Sequence, residues 1–346
     1  MIDFSHMSNF ASKVAASANT IRSIEDLKVG TAEKTEVFRS DKMRLYRYAP
    51  THSIKVKTPV LISYALVNRY YMIDLDKNRS LVRRLLSQGV DLYLIDWGYP
   101  NPADRFLDLD DYINGYMYDA VQQVKQHAGI DAINLLGICQ GGVFALCYTA
   151  LYPEDIKNLI TMVAPFDFLT PKNTLGKMAQ HIDAHMAHQA LGNFDGELLN
   201  VNFSMLNPIS LNMFKYIKAV EGLQEVEKAK FFLRMEKWIN DSPNQAGRAM
   251  AEFIDKLYQK NQLKKGKLSI GQRRVELSMV THPVLNIYGS QDHIVPPKAT
   301  KSLKKLIPSE DYTELSLETG HIGMYVSGKS GEIPPRVASW LSKRDS

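Results

Sequence analysis

Residues 133–150, INLLGICQGGVFALCYTA, pass from an apolar run through Gly137-Ile138-Cys139-Gln140-Gly141-Gly142 into a helix-forming stretch. A reactive side chain flanked by small residues marks a strand that turns abruptly into a helix and lifts that side chain onto the helix N-terminus. The rest of the chain is then constrained, because the strand must lie in a sheet and the helix must pack on it, which is an α/β arrangement. Serine is usual at such an elbow, and here the position carries Cys139. The positive end of the helix dipole favours the thiolate, the reactive form of the side chain. The backbone N–H of Gln140 is placed to donate to a developing oxyanion.

The order of the other elements agrees with this. Short apolar runs at 59–67 (PVLISYALV) and 90–96 (VDLYLID), separated by an amphipathic stretch at 80–89, predict βαβ units. A long helix is expected over 110–128, with strands over 133–137, 156–163, 283–289 and 312–317. Between 168 and about 268 the pattern is helical, as in 225–239 and 245–260, with no strand signal. A chain of 346 residues accommodates one sheet core with one insertion. An α/β-hydrolase fold with a mostly parallel central sheet is therefore expected. Its parts are an N-terminal segment at 1–35, a catalytic core at 36–168 and 269–346, and a helical cap at 169–268 lying over the carboxyl ends of the strands. A helical unit that serves only for packing is the alternative for the insertion.

Composition narrows the setting. The two cysteines, Cys139 and Cys147, lie on a turn and on its helix and point in different directions, so no disulfide is expected and a reduced, cytoplasmic environment fits. The first residues lack the basic start and unbroken apolar stretch of a secretory signal, and no run of about 18 apolar residues occurs, so no membrane span is expected. The net charge of +5 is thinly spread. Its one cluster, Lys264-Lys265-Gly266-Lys267, is too short to indicate nucleic acid and reads as a solvated loop.

A thiol nucleophile needs a base, and the base needs an orienting acid. In this fold both follow the nucleophile, acid before histidine, each on a loop after a late strand. Asp292 follows the run at 283–289 and His321 follows the run at 312–317, which makes them the candidate acid and base. His293, next to the acid, is a candidate for a supporting role. His181, His185 and His188 have the spacing of one helix face, but no glutamate accompanies them as in a zinc protease, so an ordinary polar face is preferred over a metal site. Asp96 ends a strand but precedes the nucleophile, which breaks the order. The loop after the early strand at 59–67 should supply a second oxyanion donor, with the backbone N–H of Val67 or Asn68 as candidates. No cofactor is implied.

The choice of sulfur has chemical content. A thiolate that attacks a thioester forms another thioester, so the exchange is nearly balanced and the acyl group stays activated for transfer to an alcohol, provided water is kept out. The blocks VLISYALVNRYYMIDL (60–75), VDLYLIDWGYPNPAD (90–104), LDDYINGY (109–116), LLGICQGG (135–142), FLRMEKWINDSPNQAG (232–247) and TGHIGMYVSGK (319–329) resemble the catalytic subunit of class III polyhydroxyalkanoate synthases. The similarity runs from about residue 45 to the C-terminus. It departs from the family pattern at Tyr70, where proline is usual, and at Asn193-Phe194-Asp195-Gly196, where Asn-Ile-Pro-Gly is usual.

The resemblance implies the same triad, Cys139, Asp292 and His321. It also implies polymerisation of (R)-3-hydroxyacyl-CoA, with 3-hydroxybutyryl-CoA the expected member, and release of coenzyme A. A second, noncatalytic synthase subunit, a homodimer and a place on the surface of a polyester granule are implied as well. The competing expectations are a cysteine-dependent hydrolase of the thioesterase or dienelactone-hydrolase kind and a noncatalytic granule-associated protein.

Overall fold

The computed structural model describes residues 4–205 and 215–345. Its strands are β1 (Lys34–Ser40), β2 (Met43–Tyr48), β3 (Val56–Ser63), β4 (Val90–Asp96), β5 (Ile133–Ile138) and β6 (Ile156–Met162), then a small hairpin of β7 (Ser269–Ile270) and β8 (Arg273–Arg274), then β9 (Val284–Gly289) and β10 (Tyr312–Leu317). Apart from the hairpin they form one eight-stranded sheet in the order β1-β2-β4-β3-β5-β6-β9-β10. β1 and β2 run antiparallel, and every pairing from β4 to β10 is parallel. β5, which delivers Cys139, lies in the middle, and β9 and β10, whose following loops carry Asp292 and His321, lie on one side of it.

Both faces of the parallel region are covered, so β4 and β5 are buried at every position and read as continuous apolar runs. Successive side chains still alternate between two cores. Leu61, Tyr93, Ile95, Leu135 and Leu159 pack against Val121, Val124, Val143 and Phe144 on one face. Ile62, Leu94, Leu136 and Ile160 pack against Leu81, Leu85, Val337 and Trp340 on the other.

Several expectations are corrected. The antiparallel pair β1 and β2 carries no clean apolar alternation and adds two strands to those the sequence pattern predicts; β1 begins at Lys34, inside the expected N-terminal segment at 1–35. The strand expected over 59–67 stops at Ser63, which leaves residues 64–69 as a loop. The helix over 110–128 opens with a π-helical stretch, Asp111–Met117, before the α-helix Tyr118–Ala128, which ends on Gly129 in the left-handed region. Between β6 and β7 the described residues form helices joined by loops, including Ala184–Leu191, Gly196–Ser204, Val226–Asn240 and Gly247–Glu252, with no strand of the main sheet. Among the described residues no helix is long and apolar enough to cross a membrane.

Candidate active site

The turn at the end of β5 places its strain on the cysteine. Cys139 has φ +54° and ψ −121°, and the helix Gln140–Leu151 starts at the next residue. A non-glycine residue held there costs on the order of 1–3 kcal/mol, so the surroundings must fix it. They do so through backbone bonds: Cys139 N–H donates to Met162 O at 2.9 Å, and Gly142 N–H donates to Cys139 O at 3.0 Å. The glycines that the sequence pattern assigned to turn freedom serve close approach instead. A Cβ on Gly141 would lie 2.1 Å from Ser63 O, and one on Gly142 would lie 2.4 Å from Ala164 Cβ. Only side-chain-free residues let the helix start press against β3 and β6.

The acid and base come together as chain order predicts. His321 Nδ1 and Asp292 Oδ2 are 2.7 Å apart, and both residues are buried. The other carboxylate oxygen, Oδ1, accepts the N–H groups of Ile294 (2.9 Å) and Val295 (2.8 Å), so the loop after β9 holds the acid rigidly. Burial by itself lowers the basicity of the His321 imidazole. The charge and hydrogen bond of Asp292, with the neighbouring Cys139 acting in the same direction, outweigh it and raise the pKa from 6.5 to about 10. At neutral pH the imidazole is therefore held protonated, the form that can pair with a thiolate. Cys139 is half-buried and free, next to this imidazole, whereas Cys147 is fully buried within the helix Gln140–Leu151, its thiol pushed up to about 12 by burial.

Other candidates fall away. His293 is exposed on the same loop and has no hydrogen bond to either triad residue among the described contacts. Asp96 accepts Gly98 N–H and faces Arg69, which makes it a loop anchor on β4, two strands from the nucleophile. The three histidines do not share a helix: Asp183 caps the helix Ala184–Leu191 through Met186 N–H, leaving His181 outside it. His188 Nδ1 bonds Gly192 O and His185 faces Asp255. No cluster of metal-ligating side chains occurs among the described residues.

Three side chains near the nucleophile were not anticipated. Tyr64, Tyr258 and Tyr325 are phenols raised by burial, with Cys139 contributing to the rise in each. They bring the loop after β3, the helical insertion and the segment after His321 around the sulfur. Gln140 does more than supply an N–H. As the first residue of its helix it leaves that N–H without an intrahelical partner, while its side-chain Oε1 accepts Leu66 N–H at 3.0 Å and ties the 64–69 loop to the elbow. In that loop Val67 and Asn68 come next, with Asn68 at φ +62°.

Two family models match the chain: one described as alpha/beta hydrolase fold over residues 58–327, and one described as the poly-beta-hydroxybutyrate polymerase (PhaC) N-terminus over residues 8–85. The poly(3-hydroxyalkanoate) polymerase subunit PhaC of Allochromatium vinosum is 47% identical over 98% of this chain and 96% of its own. The protein of the same description from Synechocystis is 46% identical over 92% and 87%, and that from Haloferax mediterranei is 36% identical over 96% and 68%. Among solved structures, a soluble variant of monoglyceride lipase from Saccharomyces cerevisiae superposes with a TM-score of 0.61 at 15% identity, covering 93% of this chain and 98% of that one. The monoacylglycerol lipase of Paleococcus ferrophilus gives 0.54 at 15% identity over 87% and 99%. At such identities the structural matches speak for the fold alone.

Proposed function

This chain belongs to the poly(3-hydroxyalkanoate) polymerase PhaC family, and we propose that it builds polyester on Cys139, with His321 and Asp292 as its proton relay. The activity is polymerisation of 3-hydroxyacyl units from coenzyme A thioesters. The observation that supports the triad is geometric: a cysteine on a strained strand-to-helix turn faces an imidazole that is itself locked to a buried carboxylate.

In the proposed cycle His321 holds the proton of Cys139, and the sulfur attacks the carbonyl carbon of an (R)-3-hydroxyacyl-CoA, with 3-hydroxybutyryl-CoA the expected substrate. Negative charge collects on the carbonyl oxygen, where the N–H groups of Gln140 and of Val67 or Asn68 receive it. The C–S bond to coenzyme A breaks, its thiolate takes the proton from His321, and an acyl-cysteine remains. The 3-hydroxyl of the next unit then gives its proton to the imidazole and attacks the acyl-cysteine. An oxygen ester forms and the thiolate is restored. Asp292 keeps the imidazole in one orientation through both halves.

The relatives carry the word subunit in their descriptions. That agrees with work alongside a second, noncatalytic subunit; a homodimer at the surface of a polyester granule in the cytoplasm completes the proposed setting.

The test is incubation of the purified chain with 3-hydroxybutyryl-CoA, following free coenzyme A and turbidity together. Cys139→Ala is expected to abolish coenzyme A release, and appreciable turnover would remove this nucleophile from the scheme. For His321→Gln, elongation should be lost with at most slow acylation. Soluble hydroxy acid as the only product of the parent would point to a hydrolase instead.

A further inference from the structure

The loop that leads to the second oxyanion donor is held from both sides, by the sheet core, where Asp96 also faces Arg69, and by the helical insertion. From the core, Trp97 Nε1 donates to Tyr64 O at 2.9 Å and Gln140 Oε1 accepts Leu66 N–H. The other anchors lie within the short stretch 238–245: Trp238 Nε1 donates to Arg69 O at 2.8 Å, Asn68 Nδ2 donates to Ser242 Oγ at 2.5 Å, and Gln245 Nε2 donates to Leu66 O at 3.1 Å.

The last of these bonds differs from the rest in what it fixes. Leu66 C=O and Val67 N–H belong to one planar trans peptide, so their directions are antiparallel. Whatever holds the carbonyl aims the N–H. Gln245 is well placed for such a task. It is buried, its Nε2 also donates to Pro243 O at 3.0 Å, and its own backbone pairs with Phe194 in both directions. Two carbonyl acceptors at Nε2 fix which end of the amide is nitrogen. Its Oε1 is left without a hydrogen-bond partner. A buried amide with half its capacity unused is costly, and leucine or methionine of similar size would avoid that cost.

We infer that Gln245 is a positioning residue for catalysis: from the helical insertion it holds the Leu66–Val67 peptide so that Val67 N–H faces the oxyanion formed at Cys139. This rests on the oxyanion role proposed above for that loop. The consequence is that insertion and oxyanion site are one mechanical unit. A displacement of the 238–245 stretch that lets substrate or polymer pass would turn the donor away, and its return would rebuild the site.

The test separates nucleophile from oxyanion stabilisation. Alkylation of Cys139 by iodoacetamide needs the thiolate but creates no oxyanion, whereas coenzyme A release from 3-hydroxybutyryl-CoA needs both. In full-length Gln245→Met, single-turnover coenzyme A release is expected to fall by about 10–100-fold, with kcat affected and KM nearly unchanged, while the alkylation rate stays within about twofold of the parent. Gln245→Glu, which keeps the shape and sets an acceptor against Leu66 O, should lose more. Release within about twofold of the parent, or release and alkylation falling in parallel, would overturn the inference. Should the methionine variant not fold, Ser242→Ala loosens the same loop from the same stretch, and the same ratio decides. A parent chain that releases no coenzyme A either alone or together with its partner subunit would instead count against the proposed function.

Discussion

Replacing Gly141 by alanine tests how tightly the elbow and the 64–69 loop are pressed together. The added Cβ would lie 2.1 Å from Ser63 O, 2.6 Å from Tyr64 O and 2.7 Å from Ser63 C, all of them backbone atoms that no rotamer change can move aside. Restoring an ordinary contact of 3.4 Å requires the helix start and the end of β3 to separate by about 1.3 Å. Overpacking of this kind costs roughly 1–3 kcal/mol, and a rigid backbone neighbour argues for the upper end. For a chain of this size that lowers the melting temperature by about 5 °C. The chemical effect should exceed the thermal one. Ser63 and Tyr64 lead directly into the loop bearing Val67, and misplacing a catalytic group by about 1 Å can cost on the order of 100-fold in rate. Melting followed by circular dichroism and coenzyme A release followed with a thiol reagent measure the two effects on one sample. A variant that melts within about 1 °C of the parent and releases coenzyme A within about threefold would refute the close approach on which both estimates stand.

Two further outcomes concern the ionisable groups. Because His321 in the folded chain is raised from 6.5 to about 10, it contributes stability that is fully present below about pH 6.5 and is lost as pH rises toward 10. Asp292→Asn removes the charge behind that rise and leaves burial to dominate, so urea denaturation of the variant between pH 6.5 and 10 should lose this component of the slope; an unchanged slope would mean that Asp292 does not govern the imidazole. Cys147, buried and raised to about 12, should resist thiol reagents at neutral pH while Cys139 reacts. Peptide mapping after brief iodoacetamide treatment should therefore find label on Cys139 alone, and equal labelling of the two would contradict the burial.

The parts of the site that were legible in sequence are those that depend on local pattern and chain order. Small residues around Cys139 announced the elbow, and the loops after two apolar runs gave Asp292 and His321, because a parallel sheet puts the carboxyl ends of its strands on one edge. The strands β4 and β10 matched their expected limits for the same reason: burial on both faces, or clean alternation, writes itself into the residues. The β1 and β2 pair did not: β1 is an edge strand of mixed exposure, and β2, although paired on both sides, interleaves two arginines with its buried residues. The three histidines do not share the helix face that their spacing suggests, because spacing alone ignores the cap at Asp183 that starts the helix after His181.

Nothing local in the chain indicated that Gln140 and Gln245 grip the two ends of one residue, Leu66. These are single side-chain bonds to backbone groups, the second reaching across 179 positions, and they leave no period or spacing to read. Sequence alone determined the candidate chemistry, a thiol with a proposed base and acid in the order this fold requires. Tertiary structure alone decided the geometry in which that chemistry works. The direction of a peptide N–H is set by whatever meets the other side of its plane, and in this protein that partner comes from the helical insertion.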